Sequence, residues 1–388
     1  MAFSSTAPTN PRERSRLIHA RLTAQSLAAA PFTTAREAVA AFGAMQGQDL
    51  PGVISSIALR LDASALPDTS DVPGADPRVA EVLRAFAAGE IVRGYPMRGT
   101  VFALAADDAR WITELAAKPS QWEAHTRRQS LDLDERSVGR ARAAAHALLE
   151  AEPAGVARAD LFAAWHEAGV SPEQGRGYHL CSYFIASGVL AYGPHNGRDN
   201  NVVLAESWLP PATGIEARFN GDRIAATAAL LERYLTSHGP ATLRDFAWWT
   251  KLSLRDIRAA HALVADRVEA WGADAQGDAL YSRPGLSSEV AEAAGALDAL
   301  HLLPGFDELV LGYPDRLALL TEQQHHALAP GNNGVFKKSV LRRGQIVGTW
   351  KNVGVAGSRR LELEPFTPLP AVARREAECA YRRFPHPA

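Results

Sequence analysis

The chain has 388 residues, of which 47% are hydrophobic and 22% charged, with a formal net charge of −2. That balance suits several packed units and excludes a disordered or uniformly basic protein. Its two cysteines, Cys181 and Cys379, lie far apart, which argues against a disulfide framework and for a reducing, cytoplasmic setting. No apolar run reaches bilayer-spanning length, and the polar start MAFSSTAPTNPRERSR has no apolar core of a secretory signal.

Residues 1–12 read as a disordered lead-in. An amphipathic helix is expected over Arg14–Leu27, a second over Thr34–Phe42 with Thr34 as its N-cap, and a third over Asp76–Ala88. Ile91–Leu104 reads as a strand pair turning near Met97–Gly99, which completes a first unit over residues 13–120. Between the second and third helices stands Met45-Gln46-Gly47-Gln48-Asp49. Its two glutamines gain nothing in helix propensity and make poor core. In extended backbone, residues two apart project to one side, so both amides can meet one ligand. Spacing alone also fits helix capping and a turn.

A repeat organises the middle of the chain. GVARADLFAAW (155–165) and GPATLRDFAWW (239–249) align without gaps at their Gly, Phe and Trp positions. Each block follows a long helical pattern, Val138–Glu150 or Ile224–His238. Each precedes a turn and a further helix, Gly177–Ser187 or Leu254–Val268. Helix, short helix, turn and helix make a trihelical helix-turn-helix core. A hairpin follows each, one turning at Asn196-Gly197 and one across Gly272–Asp278, so units 121–210 and 215–285 read as winged helices. Trp165 and the Trp248-Trp249 pair are expected in the core, with linkers at Pro210–Gly214 and Ser282–Leu286.

The last segment, 286–388, changes to short β-type runs, Val335–Leu341, Gln345–Lys351 and Arg360–Leu363, suggesting a small sheet or barrel. Residues 331–388 hold eleven Lys and Arg against four acids, a local excess of seven positive charges. Such asymmetry favours one cationic face for a polyanion. Arg98, Arg342 and Arg343 are the preferred phosphate contacts, with Lys337 and Lys338 next. His179, Cys181, His325 and His326 lack partners at ligand spacing, so no metal or other cofactor is expected. Asp307-Glu308 is the rival carboxylate pair, expected to fix a turn or to pair with Arg316.

Four blocks carry a resemblance: Met45–Asp49, Val92–Thr100, Leu303–Asp307 and Gly348–Trp350, in that order along most of the chain. Together they resemble the AlkZ-like winged-helix DNA glycosylases. The resemblance implies an α+β fold of three winged helices around a C-terminal β-barrel, with a concave, basic DNA-binding surface. It implies monofunctional excision of alkylated bases from double-stranded DNA, including unhooking of interstrand crosslinks in the azinomycin-resistance branch. The signature there is Gln, an aliphatic residue, then Gln, which assigns Gln46 and Gln48 as catalytic, with Gly47 departing from the aliphatic middle and Asp49 supporting the loop. An N7-alkylated purine is already cationic, so amide dipoles that stabilise a developing oxocarbenium and position water suffice. No lysine stands near the motif in sequence, in keeping with water attack. The alternative is a non-catalytic winged-helix regulator or lesion sensor. No dimerisation heptads appear, so a monomer without an obligate protein partner is expected.

Overall fold

The structure is a computed structural model that describes residues 5–8, 10–66, 76–332, 334–354 and 358–387. Helix α1 (Pro11–Ala24) starts at Asn10, whose side chain accepts from Arg12 N–H. Ahead of it, the backbone N–H groups of Thr6 and Ala7 donate to Asp315 at 2.7 and 3.1 Å. The expected unstructured lead-in is therefore corrected for its described residues; Met1–Ser4 and Thr9 lie outside them.

The first trihelical unit is α2 (Ala35–Phe42), α3 (Leu50–Ala58) and α4 (Pro77–Ala87), packed on Phe42, Val53, Ile57, Val82 and Phe86. Thr34 caps α2 as expected. Helix α3 goes unread in the sequence, and α1 stands apart from this unit. The reason is local: Ile18 and Leu22 of α1 join Leu303, Leu309 and Leu341 in another core, and Arg21 reaches the Pro240 carbonyl at 3.1 Å.

Strands β1 (Met45–Gln46), β2 (Ile91–Met97) and β3 (Thr100–Ala105) follow from this unit. The β2–β3 turn is Arg98-Gly99, with φ of +56° and +65°, the two left-handed positions that a tight two-residue hairpin demands. Helices α5 (Ala106–Ala116) and α6 (Lys118–Arg127) lead to the second unit: α7 (Glu135–Ala151), α8 (Arg158–Glu167) and α9 (Arg176–Ala186), then the hairpin β4 (Leu190–His195) and β5 (Asn200–Leu204). Short helices α10 (Ala205–Trp208) and α11 (Ile215–Phe219) connect to α12 (Arg223–His238), α13 (Leu243–Thr250), α14 (Leu254–Ala262) and the hairpin β6 (Glu269–Ala273) and β7 (Ala279–Ser282).

The repeat is visible in the pairing. Val156 bridges Val202 in one copy and Ala241 bridges Tyr281 in the other, so the residue just after each aligned Gly or Gly-Pro reaches the second strand of its own hairpin. Trp165 and Trp249 are fully buried. Trp248 is half-buried, packed against the core while its ring also carries the Arg98 guanidinium. The first two hairpins merge into one five-stranded antiparallel sheet, β1-β3-β2-β4-β5, joined at Arg93 and Tyr192; β6–β7 stays separate.

The remaining elements are α15 (Leu286–Glu292), α16 (Ala294–Leu297), β8 (Leu300–Leu303), α17 (Glu308–Leu311), α18 (Glu322–Leu328), β9 (Ser339–Arg342), β10 (Gln345–Val353), β11 (Arg360–Pro365) and α19 (Ala371–Arg383). The strands form an open sheet of order β11-β10-β9-β8. Among the described residues they do not close into the expected barrel; Ala377 of α19 and Phe384 just after it cover the sheet against Leu302, Val340 and Trp350. The overall class, mixed α and β, agrees with expectation.

Candidate active site

Helix α2 ends at Gly43 (φ +77°), and the chain straightens into β1. There Met45 and Gln46 pair with Ala103 and Phe102 of β3, and the Gly47 N–H donates to the Val101 carbonyl at 2.8 Å. The Gly47 carbonyl accepts from Arg93 Nε at 3.0 Å. A Cβ on Gly47 would lie 3.0 Å from Ala103 N and 3.1 Å from the Phe102 carbonyl carbon. Glycine at the middle of the motif thus lets the segment lie flat on β3.

Gln46 is 3% exposed, and each polar group of its peptide and amide named here is held. Its backbone N–H donates to Glu308 Oε1. Its Oε1 accepts from Arg98 Nη2 at 2.8 Å, and its Nε2 donates to Gln48 Oε1 at 3.0 Å. Gln48, two residues on, is exposed. The structure therefore brings the two amides together, one anchored inside and one at the surface.

Behind Gln46 lies a buried polar layer. Glu308 also meets His238 Nε2 at 3.2 Å, whose Nδ1 faces Ser237 Oγ at 2.8 Å. His238 stacks on Tyr234 with ring centres 4.5 Å apart, and burial holds its pKa below the usual range against the pull of Glu308. One residue earlier, Asp307 accepts from Ser56 Oγ (2.7 Å), Arg60 Nη1 (3.0 Å) and Nη2 (3.2 Å), and caps α17 through Leu309 N–H (3.0 Å). Burial raises the pKa of this carboxyl and Arg60 lowers it; the net direction is down. The expected partner, Arg316, is not the one chosen. Arg316 donates instead to the Val310 carbonyl at 2.8 Å.

Arg98 is half-buried, its guanidinium lying 4.6 Å from the Trp248 ring centre and 5.2 Å from that of Phe102. Asp49 flanks the start of α3, and a Cβ on Gly52 would come within 2.6 Å of its carboxylate. Burial holds the Asp49 carboxyl above its ordinary range, opposed mainly by the charge of Lys338. Lys338 sits over Trp350, 4.8 Å from the ring centre, its pKa lowered by burial and raised back by Asp49. A lysine distant in sequence is thus brought beside the motif, which corrects the expectation drawn from sequence neighbours alone.

The other basic candidates lie along β9 and beyond. Lys337 pairs with Glu364 at 3.6 Å, and Arg342 with Glu376 at 2.8 Å. Arg343, with φ +52°, is exposed at the β9–β10 turn, the opposite end of β9 from Lys338. Glu308, His238, Arg93 and Trp248 went unassigned as site residues. Glu308 had been noted only as half of the rival carboxylate pair, Arg93 only as part of the Val92–Thr100 block, and Trp248 only as core. His179 and His325 are buried, and among the described residues no group of three or more His, Cys, Asp or Glu is placed to hold a metal.

Comparison with known proteins bears on the family and the fold. The family model described as "DNA glycosylase AlkZ-like" matches residues 39–386. An interstrand DNA cross-link repair glycosylase of Streptomyces sahachiroi is 25% identical over 201 residues, a match spanning 50% of this chain and about half (51%) of that relative's length. The solved structure of the Streptomyces sahachiroi DNA glycosylase AlkZ superposes with a TM-score of 0.71 over 95% of each chain, at 22% identity, which speaks for the fold. With its family model covering all but the first elements and the last two residues, the chain belongs to the AlkZ-like DNA glycosylase family.

Proposed function

We propose that this chain is a monofunctional DNA glycosylase that hydrolyses the N-glycosidic bond of N7-alkylated purines, crosslinked ones included, with Gln46 and Gln48 as its catalytic amides. The observation that carries the reading is the 3.0 Å bond between a buried, anchored amide and an exposed one at the edge of the sheet. A cationic N7-alkylpurine is a good leaving group without protonation, so no strong acid is needed. What must be supplied is negative potential beside the sugar as its charge develops, and an ordered water on the far face. The exposed Gln48 carbonyl keeps one lone pair beyond its bond from Gln46, enough to accept a water O–H. Neither amide is a base strong enough to attack an undamaged nucleotide, which confines turnover to bases that leave readily.

In the same reading, Lys337, Lys338, Arg342 and Arg343 hold the DNA backbone. The Lys337 and Arg342 ion pairs are partly exposed and worth about 0–1 kcal/mol each, so they exchange a carboxylate for a phosphate at small cost. Arg98 can reach a phosphate only by releasing Gln46. The two aligned trihelical units with their hairpins, and the first unit with β2–β3, serve as winged helices, and the protein works as a monomer in the cytoplasm.

The test is excision from a duplex carrying one N7-methylguanine, with abasic sites revealed by alkali. Wild type is expected to yield abasic product, and Gln46→Ala and Gln48→Ala to lose it while still binding. Borohydride should trap no covalent enzyme–DNA adduct. Unchanged excision in both variants refutes the amide assignment. A trapped adduct abolished by Lys338→Arg refutes the monofunctional one. Binding with no product on monoadducts or crosslinks leaves a lesion sensor.

A further inference from the structure

We propose that Arg98 is a positioning residue that sets which way both catalytic amides face. The inference rests on the glutamine reading above. It starts from chemistry: a guanidinium has five N–H donors and no acceptor. The atom of the Gln46 amide 2.8 Å from Arg98 Nη2 is therefore its oxygen. That choice turns Gln46 Nε2 toward Gln48, and the group that receives it at 3.0 Å must be the Gln48 oxygen. An amide can flip end for end with little change in shape, and two in series have four arrangements. One donor-only cation at the head of the chain selects a single arrangement of the four.

Arg98 is itself held in place. It occupies the first left-handed position of the β2–β3 turn, followed by Gly99, so its side chain leaves the hairpin at a fixed angle. The guanidinium is sandwiched between Phe102, two residues into the opposing strand, and Trp248 of α13. It makes no ion pair among the described residues; its Nη1 donates to the Leu311 carbonyl at 3.4 Å, and Glu308, whose charge acts on it, is already engaged by the Gln46 N–H. Glu308 and Arg98 thus grip Gln46 from its backbone and its side chain. The cation also draws electron density from the Gln46 carbonyl, which strengthens the N–H donated to Gln48.

The experiment measures single-turnover excision rate and DNA Kd, at two or more salt concentrations, for Arg98→Met and Arg98→Lys in wild-type and Gln46→Ala backgrounds. Arg98→Met is expected to slow excision 10- to 100-fold with Kd within about threefold of wild type and an unchanged salt slope. Arg98→Lys, which keeps a charged donor, should recover part of the rate. In the Gln46→Ala background, Arg98→Met should add nothing. A tenfold weaker Kd with the salt slope reduced by about one would make Arg98 a phosphate contact instead and overturn the proposal. So would rate losses that multiply in the double variant. If Gln46→Ala leaves the rate intact while Arg98→Met lowers it, the amide reading itself is what fails. Should Arg98→Met not fold, side-chain NH2 exchange of 15N-glutamine-labelled protein decides through Arg98→Lys. The Gln46 amide protons should stay slowed in wild type and exchange faster in the variant; equal rates refute the role.

Discussion

Replacing Asp307 by alanine tests the buried layer beneath the site. Its carboxylate receives four hydrogen bonds, two of them from an Arg60 whose side chain has no exposed surface. Alanine strands that guanidinium in the interior, a loss of about 3–5 kcal/mol, and removes the cap of α17, about 1 kcal/mol more. The combined cost, about 4–6 kcal/mol, is comparable to the whole stability of many domains. Arg60→Met combined with Asp307→Ala should cost clearly less than the sum of the two single changes, because no unpaired charge then remains. Urea unfolding followed by tryptophan fluorescence measures both. Helix α17 carries Glu308 onto the Gln46 N–H, so Asp307→Ala should also slow excision at temperatures where the protein remains folded. A cost below about 1 kcal/mol for Asp307→Ala, or strict additivity in the pair, would refute the reasoning.

Gly47→Val should lift the motif off β3: the two closest atoms are backbone of a strand paired on both sides, which cannot recede. Overpacking costs about 1–3 kcal/mol, offset by about 0.5–1 kcal/mol for the glycine entropy removed; excision should fall at least tenfold with binding kept, and full activity would show that the fit is loose. Acid should destabilise the fold with a sign set by two kinds of group. Burial pushes the His179 pKa down to about 4 and that of His238 down as well, so between about pH 6.5 and 4 the unfolded chain takes up protons that the folded one refuses, and stability falls as the pH falls. Asp307, whose folded pKa is depressed, adds stability present above about pH 3.8 and lost as the pH falls through its folded value. Urea midpoints from about pH 7 down to about pH 2 check both, and His179→Gln should flatten the upper part of the curve; a midpoint that rises on acidification contradicts the burial argument.

Much of the helical middle of the chain was legible because it repeats. Trp165 and Trp249 mark the same buried face twice, with Phe246 buried beside one and Phe162 partly buried beside the other, and a hairpin tip with glycine follows each copy. The N-terminal unit was read less well, since α1 carries an apolar face that fits a local core but spends it on Leu303 and Leu341. Helix α19 was hidden by its composition: only Ala373 and Ala377 within it are buried, and its arginines and glutamates pattern like a solvated tail. Closure of a sheet leaves no mark in strand periodicity, so the spacing of the short runs suited an open sheet as well as a barrel, and only family likeness favoured the barrel. At the site, Gln46 and Gln48 stood out as residues poor for core. Their supports did not, because Arg98, Glu308 and Lys338 arrive from remote strands, helices and loops, and an arginine meant for an amide has the same one-letter signature as one meant for a phosphate.

The guanidinium of Arg93 has a consequence for which sequences this scaffold tolerates. It donates at once to the Gly47 carbonyl, to Asn200 Oδ1 at 2.7 Å and to Asp199 Oδ1 at 3.4 Å. Three acceptors on two different units require a planar fork, and the single nitrogen of a lysine cannot span them. A drift from arginine to lysine at this position preserves charge yet loses the side-chain link between the motif and the second hairpin, leaving only the backbone pairing through Tyr192. Asn200 and Asp199 are bound to the same constraint, so the three positions can change only as a set.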